Sequence, residues 1–518
     1  MTFLKTANFA FIIFILILIN LFFFKNNQKS ELYIPIPTST ITKQDTVLSG
    51  KQLASIYCKI CHQFPEPKLL DKSTWANNVL PNMGFRMGIK IPGVDAFAGT
   101  PKEDLDLVKS LGIYPDKPII TEHQWAKIIE YYKSEAPNKP IDQKIESEKT
   151  NNLSLFKTEK VFINSKGFPR TSMLKFDKST NLLYVGDASN LIYVLDDKMT
   201  VKKTWKMPSP AVDIDFPSNS SPRILTIGKF SPSDQKLGSL LYNTNSIQNL
   251  PRPVNFTAAD LNGDNKEDVV ICGFGHNTGK LLWYENFDAE KEHVLKNVPG
   301  ARKVEITDLN HDSKPDLVVL MAQAFEQVSV FYNKGNNIFE EKVVLKFPPV
   351  YGVSYLELVD FNNDGYKDIL LTNGDNWDYS IIRKNYHGVR IYINDGHDNF
   401  KNTYFYPLYG ASKALARDYD NDGDLDIAAS AFYNNQDKPE QSFIYLSNEG
   451  NMNFKAHSTP QAASGKWLTM DAADYDNDGD IDIFLGSYFH TFGEYFKQVS
   501  KGVSDFPQLL VLTNNLKE

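Results

Sequence analysis

The chain has 518 residues, enough for two or three domains that each bury a core of their own. Its formal charge is −8 at pH 7 and it holds no Lys/Arg-rich block, which argues against general nucleic-acid binding. The acidity gathers in short Asp-rich clusters of the C-terminal half, a distribution that points to cation sites.

The first element is an apolar run from Ala7 to Phe24, broken only by Asn8 and Asn20. About 18 residues is near the lower limit for spanning a bilayer. It also exceeds the usual apolar core of a signal peptide, and no small-x-small cleavage site follows. Residues 1–29 are expected to be an uncleaved membrane anchor, with a cleaved signal peptide as the alternative. Either one exports the rest of the chain, facing the periplasm or the cell exterior. Residues 30–46, rich in Pro, Ser and Thr, read as a tether.

A compact segment is expected over 47–137. Its last part carries Trp125, Ile128, Ile129 and Tyr132 at helical spacing and stops at Pro137. Near its start, after a helical stretch, stands Cys58-Lys59-Ile60-Cys61-His62. Four readings compete for it: a haem attachment site, half of a zinc site, a dithiol switch, or chance. Three cysteines and nine histidines in 518 residues make chance a poor explanation. Zinc wants four N or S ligands, yet the one remaining cysteine, Cys272, lies far away in a strand pattern. A thioredoxin-like dithiol wants a βαβ surrounding, and a plain disulfide leaves His62 without a role. Haem c fits better: two thioethers hold the porphyrin and the adjacent histidine lies under the iron.

Residues 138–155 form a second polar linker. From residue 156 the pattern changes to short β-type runs, and a repeat emerges. Five Asp-rich loops begin at Asp260, Asp308, Asp360, Asp418 and Asp474, each running into an apolar strand. Most units have a later strand that ends in Asn, as in "VSVFYNKG" and "LLVLTNN". Two weaker copies, from Met173 and Val212, keep the strands and lose most of the acids. Seven units of about 50 residues cannot bury their faces singly but close radially into a propeller. The last strand is placed to close the ring against "KTEKVFI" near residue 160, and an open solenoid is the alternative.

In the fifth loop, Asp474, Asp476, Asp478 and Asp482 occupy positions 1, 3, 5 and 9, Gly479 stands at 6, and Asp480 can offer its carbonyl at 7. Alternate residues of a tight loop converge on one point, which suits calcium and its six to eight hard oxygens. Position 12 is Leu485, inside a strand, so the loop is not an EF-hand. These loops resemble the FG-GAP, or VCBS-type, repeats of integrin-like β-propellers over roughly residues 165–515. That resemblance implies the ligand sets Asp260, Asn262, Asp264, Asp268; Asp308, Asn310, Asp312, Asp316; and Asp360, Asn362, Asp364, Asp368. It further implies Asp418, Asp420, Asp422, Asp426 and Asp474, Asp476, Asp478, Asp482, for up to five calcium ions. Asn265 and Ser313 stand where the turn glycine is expected.

The segment around "VLPNMGFRMGI" resembles the distal loop of small class I cytochromes c. The likeness implies a methionine as second iron ligand, Met83 by its P-x-M-G setting, with Met87 the alternative. His123 is a weaker candidate. The expected architecture is therefore multidomain: an N-terminal membrane helix, a small all-α cytochrome c domain, and an all-β seven-bladed propeller over 156–518. One haem c would sit on Cys58, Cys61, His62 and Met83, with electron transfer to a redox partner protein or enzyme as the function. A propeller that oxidises a sugar or alcohol and reduces the haem is a second reading, with His276, His387 and His490 as candidate bases. An integrin-like adhesion module is a third. No catalytic constellation stands out.

Overall fold

The structure, a computed structural model, describes residues 48–144, 149–150, 152–163, 168–218, 220–377, 379–435 and 438–516. The anchor at 1–29 and the tether at 30–46 lie outside the described residues. No helix among the described residues is long and apolar enough to cross a membrane.

Ser49 starts α1 (Gly50–Tyr57) with a capping box: its hydroxyl accepts from the Gln52 N–H, and the Gln52 side chain accepts from the Ser49 N–H. The next helix, α2, runs from Lys72 to Arg86 and widens to a π-helix over Trp75–Val79. Pro81 is the cause, because it has no N–H to give the turn before it; Leu80 reaches back to the Trp75 carbonyl instead. After α3 (Leu105–Ser110), Thr121 and Gln124 form a second capping box that opens α4 (Glu122–Glu135). Helices α1 and α4 cross at Gly50, where a Cβ would stand 2.2 Å from the Lys127 carbonyl oxygen. Their crossing buries Leu53, Ala54, Trp125, Ile128 and Tyr132 in one core with Trp75, Leu70 and Ile120. Burial of each such side chain stabilises by about 1.5–3 kcal/mol.

Seven antiparallel sheets of four consecutive strands follow, save that the last draws one strand from the N-terminal side. Blades 1 to 7 cover residues 171–206, 211–250, 253–296, 301–346, 353–407, 411–457 and 467–514. Blade 7 is completed by Phe156–Val161, which pairs antiparallel with Leu509–Asn514, Phe156 opposite Asn514. Lys149–Thr150 adds a parallel edge strand to blade 6. The second strand of blades 3 to 7 is buried at every residue, since each is packed on both faces between neighbouring blades.

Every innermost strand breaks register after its first residue, between Thr171 and Met173, Ala211 and Asp213, Pro253 and Asn255, and so on round the ring. Blades 1 and 2 share this bulge although they lack the acidic loop, so they are the same structural unit. Polar side chains of the inner strands then stitch each blade to the next. Asp213 accepts from the Phe256 N–H (3.2 Å), Asn255 from Val304 (2.9 Å), Glu357 from Ala416 (2.9 Å) and Asp471 from Phe176 (2.8 Å). These bonds satisfy backbone N–H groups of the innermost strands, each of which is an edge of its sheet.

The Asp-rich loops join first to second strands and so share one face of the ring. The helical unit sits on the opposite face. Its contacts gather on blades 2 to 5: Glu103 with Lys229 (3.1 Å), Arg86 with Asn277 (3.1 Å), and Val350 and Ile382 against the helical core. The linker is pinned as well, Gln143 donating to Tyr409 Oη (2.9 Å) and the His387 carbonyl (2.6 Å).

Candidate functional site

Cys58 is the C-cap of α1, and the chain tightens there into a 3-10 turn over Cys58–Ile60. The three motif residues therefore come off the end of one helix within a single turn and a half. Cys58 is half-buried, Cys61 is exposed, and the thiols are not joined. Burial pushes the Cys58 thiol up to about 11, with a hydrogen bond from Tyr132 working against it. A redox-active dithiol needs the opposite shift, so the dithiol-switch reading loses support. His62 Nδ1 lies 2.9 Å from the Gln63 carbonyl oxygen. A carbonyl only accepts, so Nδ1 carries the proton and Nε2 keeps its lone pair. Burial lowers the His62 pKa and favours that neutral form. Metal-bound histidines are held in this way.

Met83 lies on α2 and Met87 is its C-cap; both pack half-buried against the cluster that also takes Cys58. Two unbridged thiols and an imidazole protonated at Nδ1 come off one helix end, and Met83 and Met87 border the same core as Cys58; these are residue types that could hold a haem c. Residues 59–63 also form one wall of a cleft of about 190 Å³, with Ala324–Gln327 and Phe347 of the propeller opposite. The motif thus faces the propeller. His123, on α4, is half-buried on the helix surface.

All five acidic loops are built alike. Positions 4 and 6 are left-handed in each: Gly263 and Asn265, His311 and Ser313, Asn363 and Gly365, Asn421 and Gly423, Asn477 and Gly479. Asn265 (φ 63°) and Ser313 (φ 65°) hold the turn that glycine holds elsewhere, so their substitution does not alter the loop. The position-1 carboxylate accepts from the position-6 N–H in every loop, for example Asp260 from Asn265 (2.7 Å) and Asp474 from Gly479 (3.2 Å).

The position-9 aspartates, Asp268, Asp316, Asp368, Asp426 and Asp482, are fully buried. One oxygen of each accepts from the position-2 N–H, and the other from the N–H of the asparagine late in the blade: Asn286, Asn333, Asn394, Asn448 and Asn514. Asn333 and Asn514 continue to the Leu261 and Tyr419 carbonyls of the preceding blade (2.8 and 2.7 Å). Asn333, Asn394, Asn448 and Asn514 were visible in the sequence as strand ends, whereas Asn286 lies in a 3-10 turn and was not; the role of all five needed the fold. Burial raises the position-9 carboxyls, Asp368 to about 6 and Asp426 and Asp482 to about 7.

The loops differ in how far their acids converge. Among the described residues, Asp418, Asp420 and Asp422 bring carboxylate oxygens within 4.8 Å of one another, as do Asp474, Asp476 and Asp482. Asp426 and Asp478 stand outside these groups. The first three loops have Asn262, Asn310 and Asn362 at position 3, which leaves three acids in each, and these do not gather as closely. In the fifth loop Asp474 Oδ1 is buried without a hydrogen-bond donor, a position that a cation satisfies.

Of the candidate bases, His387 is 1% exposed and cannot meet a substrate. His276 is exposed, and His490 is held below the ordinary range by burial and packs on Trp377 at 4.1 Å. Cys272 is fully buried in a second strand.

No protein of curated function matches the chain. Among solved structures, the Neurospora crassa Pan2 WD40 domain is 11% identical, with 66% of this chain and 88% of that one covered and a TM-score of 0.38. Kuenenia stuttgartiensis hydrazine synthase is 10% identical, with 68% and 98% covered and a TM-score of 0.41. The FG-GAP-like repeat matches residues 260–319, 308–371 and 418–485. The chain therefore carries FG-GAP-like repeats, set in a seven-bladed β-propeller.

Proposed function

We propose that the chain is an exported, membrane-tethered c-type cytochrome whose propeller is a calcium-binding platform for a redox partner protein. The observation that carries this reading is the turn at the end of α1, where His62 is fixed through Nδ1 with Nε2 free beside two unbridged thiols. Cys58 and Cys61 hold the haem, His62 ligates the iron and Met83 is the second ligand, with Met87 its alternative. When bound, the haem supplies a one-electron couple. The chain's own residues do the rest: Gln63 orients the imidazole, and Trp75, Tyr132 and the α1–α4 core keep water from one side.

Calcium in the Asp-rich loops neutralises carboxylates that crowd one another, above all in the fourth and fifth loops. The ions stiffen the face opposite the helical unit and are structural. A second reading, oxidation of a sugar or alcohol by the propeller with the haem as acceptor, draws on one observation: the motif borders the Ala324–Gln327 loop of blade 4. An adhesion role for the propeller has no comparable observation behind it.

The test is denaturing electrophoresis of the exported full chain with a peroxidase stain for haem. The stain is expected to travel with the chain and to vanish when Cys58 and Cys61 are both changed to Ala. An unstained wild-type band from a host able to attach haem would overturn the proposal.

A further inference from the structure

The residues that begin the inner strands, and those just after the second strands, ring the axial mouth on the face that carries the helical unit. Arg252 and Arg302 share the Phe274 ring, at 5.5 and 5.8 Å from its centre. Phe230 stacks on Tyr488 at 4.9 Å, and Arg170 lies 6.0 Å from the same tyrosine. Further round, Phe432 meets Tyr488 at 6.1 Å and carries Lys466 at 4.4 Å. Aromatic rings and cations thus alternate across the mouth from blade 3 to blade 7 and blade 1.

The charges do not balance. Arg302 pairs with Asp375 (3.3 Å) and Lys466 with Glu494 (2.9 Å). Arg252 donates only to the carbonyls of Gly275 (3.1 Å) and Phe230 (2.8 Å), and its Nε is buried without an acceptor. The Nε of Arg170 is buried without an acceptor too. Among the described residues neither arginine forms an ion pair with a carboxylate. Burial and the neighbouring Arg302 charge together lower Arg252 to about 10. The Asp375 charge opposes this shift, but Asp375 is already paired with Arg302, so one carboxylate faces two guanidiniums, a costly arrangement unless a further anion joins it. Solvent reaches the mouth, since the Arg302 and Asp375 side chains are 27% and 30% exposed.

We propose that the axial mouth binds a small organic carboxylate, with Arg252, Arg302 and Arg170 as its cationic contacts and the rings of Phe230 and Phe274 against its apolar body. A planar guanidinium matches a carboxylate in two-pronged geometry, and the flanking rings favour an organic body over an inorganic ion. Arg86 of α2 reaches Asn277 beside the mouth, so the helical unit walls one side of the site.

The test is isothermal titration calorimetry of the full chain with benzoate, succinate and inorganic phosphate, at low and at moderate salt. Saturable binding of benzoate or succinate is expected, weaker at higher salt and at least tenfold weaker in Arg302→Gln. Arg252→Lys keeps the charge and loses the fork; it should fold and bind at least tenfold less tightly, with thermal unfolding as the check on folding. Binding by phosphate alone, no saturable binding by either carboxylate, or affinities unchanged in both variants would overturn the proposal. The readout is independent of iron, so failure here leaves the haem assignment untouched.

Discussion

Lys413 stands on the inner strand of blade 6 and points into the axial channel, where Lys175, Lys303, Asp213, Asp471 and Tyr355 surround it. Burial is the main reason that its pKa falls to about 8, with Lys175 and Lys303 adding to the effect and the two aspartates opposing it. Below pH 8 the lysine is charged in both folded and unfolded chains, and the full penalty for burying that charge is present. Between about 8 and the ordinary 10.5 the unfolded chain holds a proton that the folded one has released, so stability rises with pH across that window. Lys413→Met is therefore expected to stabilise the propeller by roughly 1–3 kcal/mol at pH 7. The gain should shrink as pH passes from 8 towards 10.5, measured by urea unfolding at each pH; a gain that stays constant would refute this account. No sequence pattern marks Lys413, because its neighbours come from the inner strands of five other blades, 58 to 238 residues away along the chain.

At the scale of the element, the acidic loop and its strand were legible because both repeat in phase and both use local chemistry: alternate acids, a turn residue, then an apolar run. The left-handed backbone at Asn265 and Ser313 was less so, since glycine is the usual signature and the fold imposes the turn without it. The position-9 aspartate was read as a cation ligand only. It is also the clasp that holds the loop to the blade's third strand, Asp482 taking Tyr475 N–H at 3.1 Å and Asn514 N–H at 2.8 Å. Asp482→Ala should cost about 2–4 kcal/mol, because it orphans two buried donors in the blade that closes the ring. Urea unfolding in excess chelator separates this loss from any effect of bound ions. A loss that disappears in chelator would show that the aspartate acts only through a metal.

For the whole molecule, ring closure could be anticipated from a surplus strand at each end, and Phe156–Val161 does pair with Leu509–Asn514. The placement of the helical unit could not. It depends on dispersed contacts such as Arg86 with Asn277 and Lys229 with Glu103, each between residues more than 100 apart in sequence. The outcome is a molecule with acidic loops on one face and, on the other, the Cys58–His62 turn set against the Ala324–Gln327 loop of blade 4. The account rests most heavily on that turn. The absorption spectrum of the exported full chain, reduced with dithionite, tests it most directly. The account predicts the sharp visible bands of a low-spin c-type haem, at a stoichiometry of one per chain. A featureless visible spectrum from a host that loads haem onto other c-type cytochromes would contradict it.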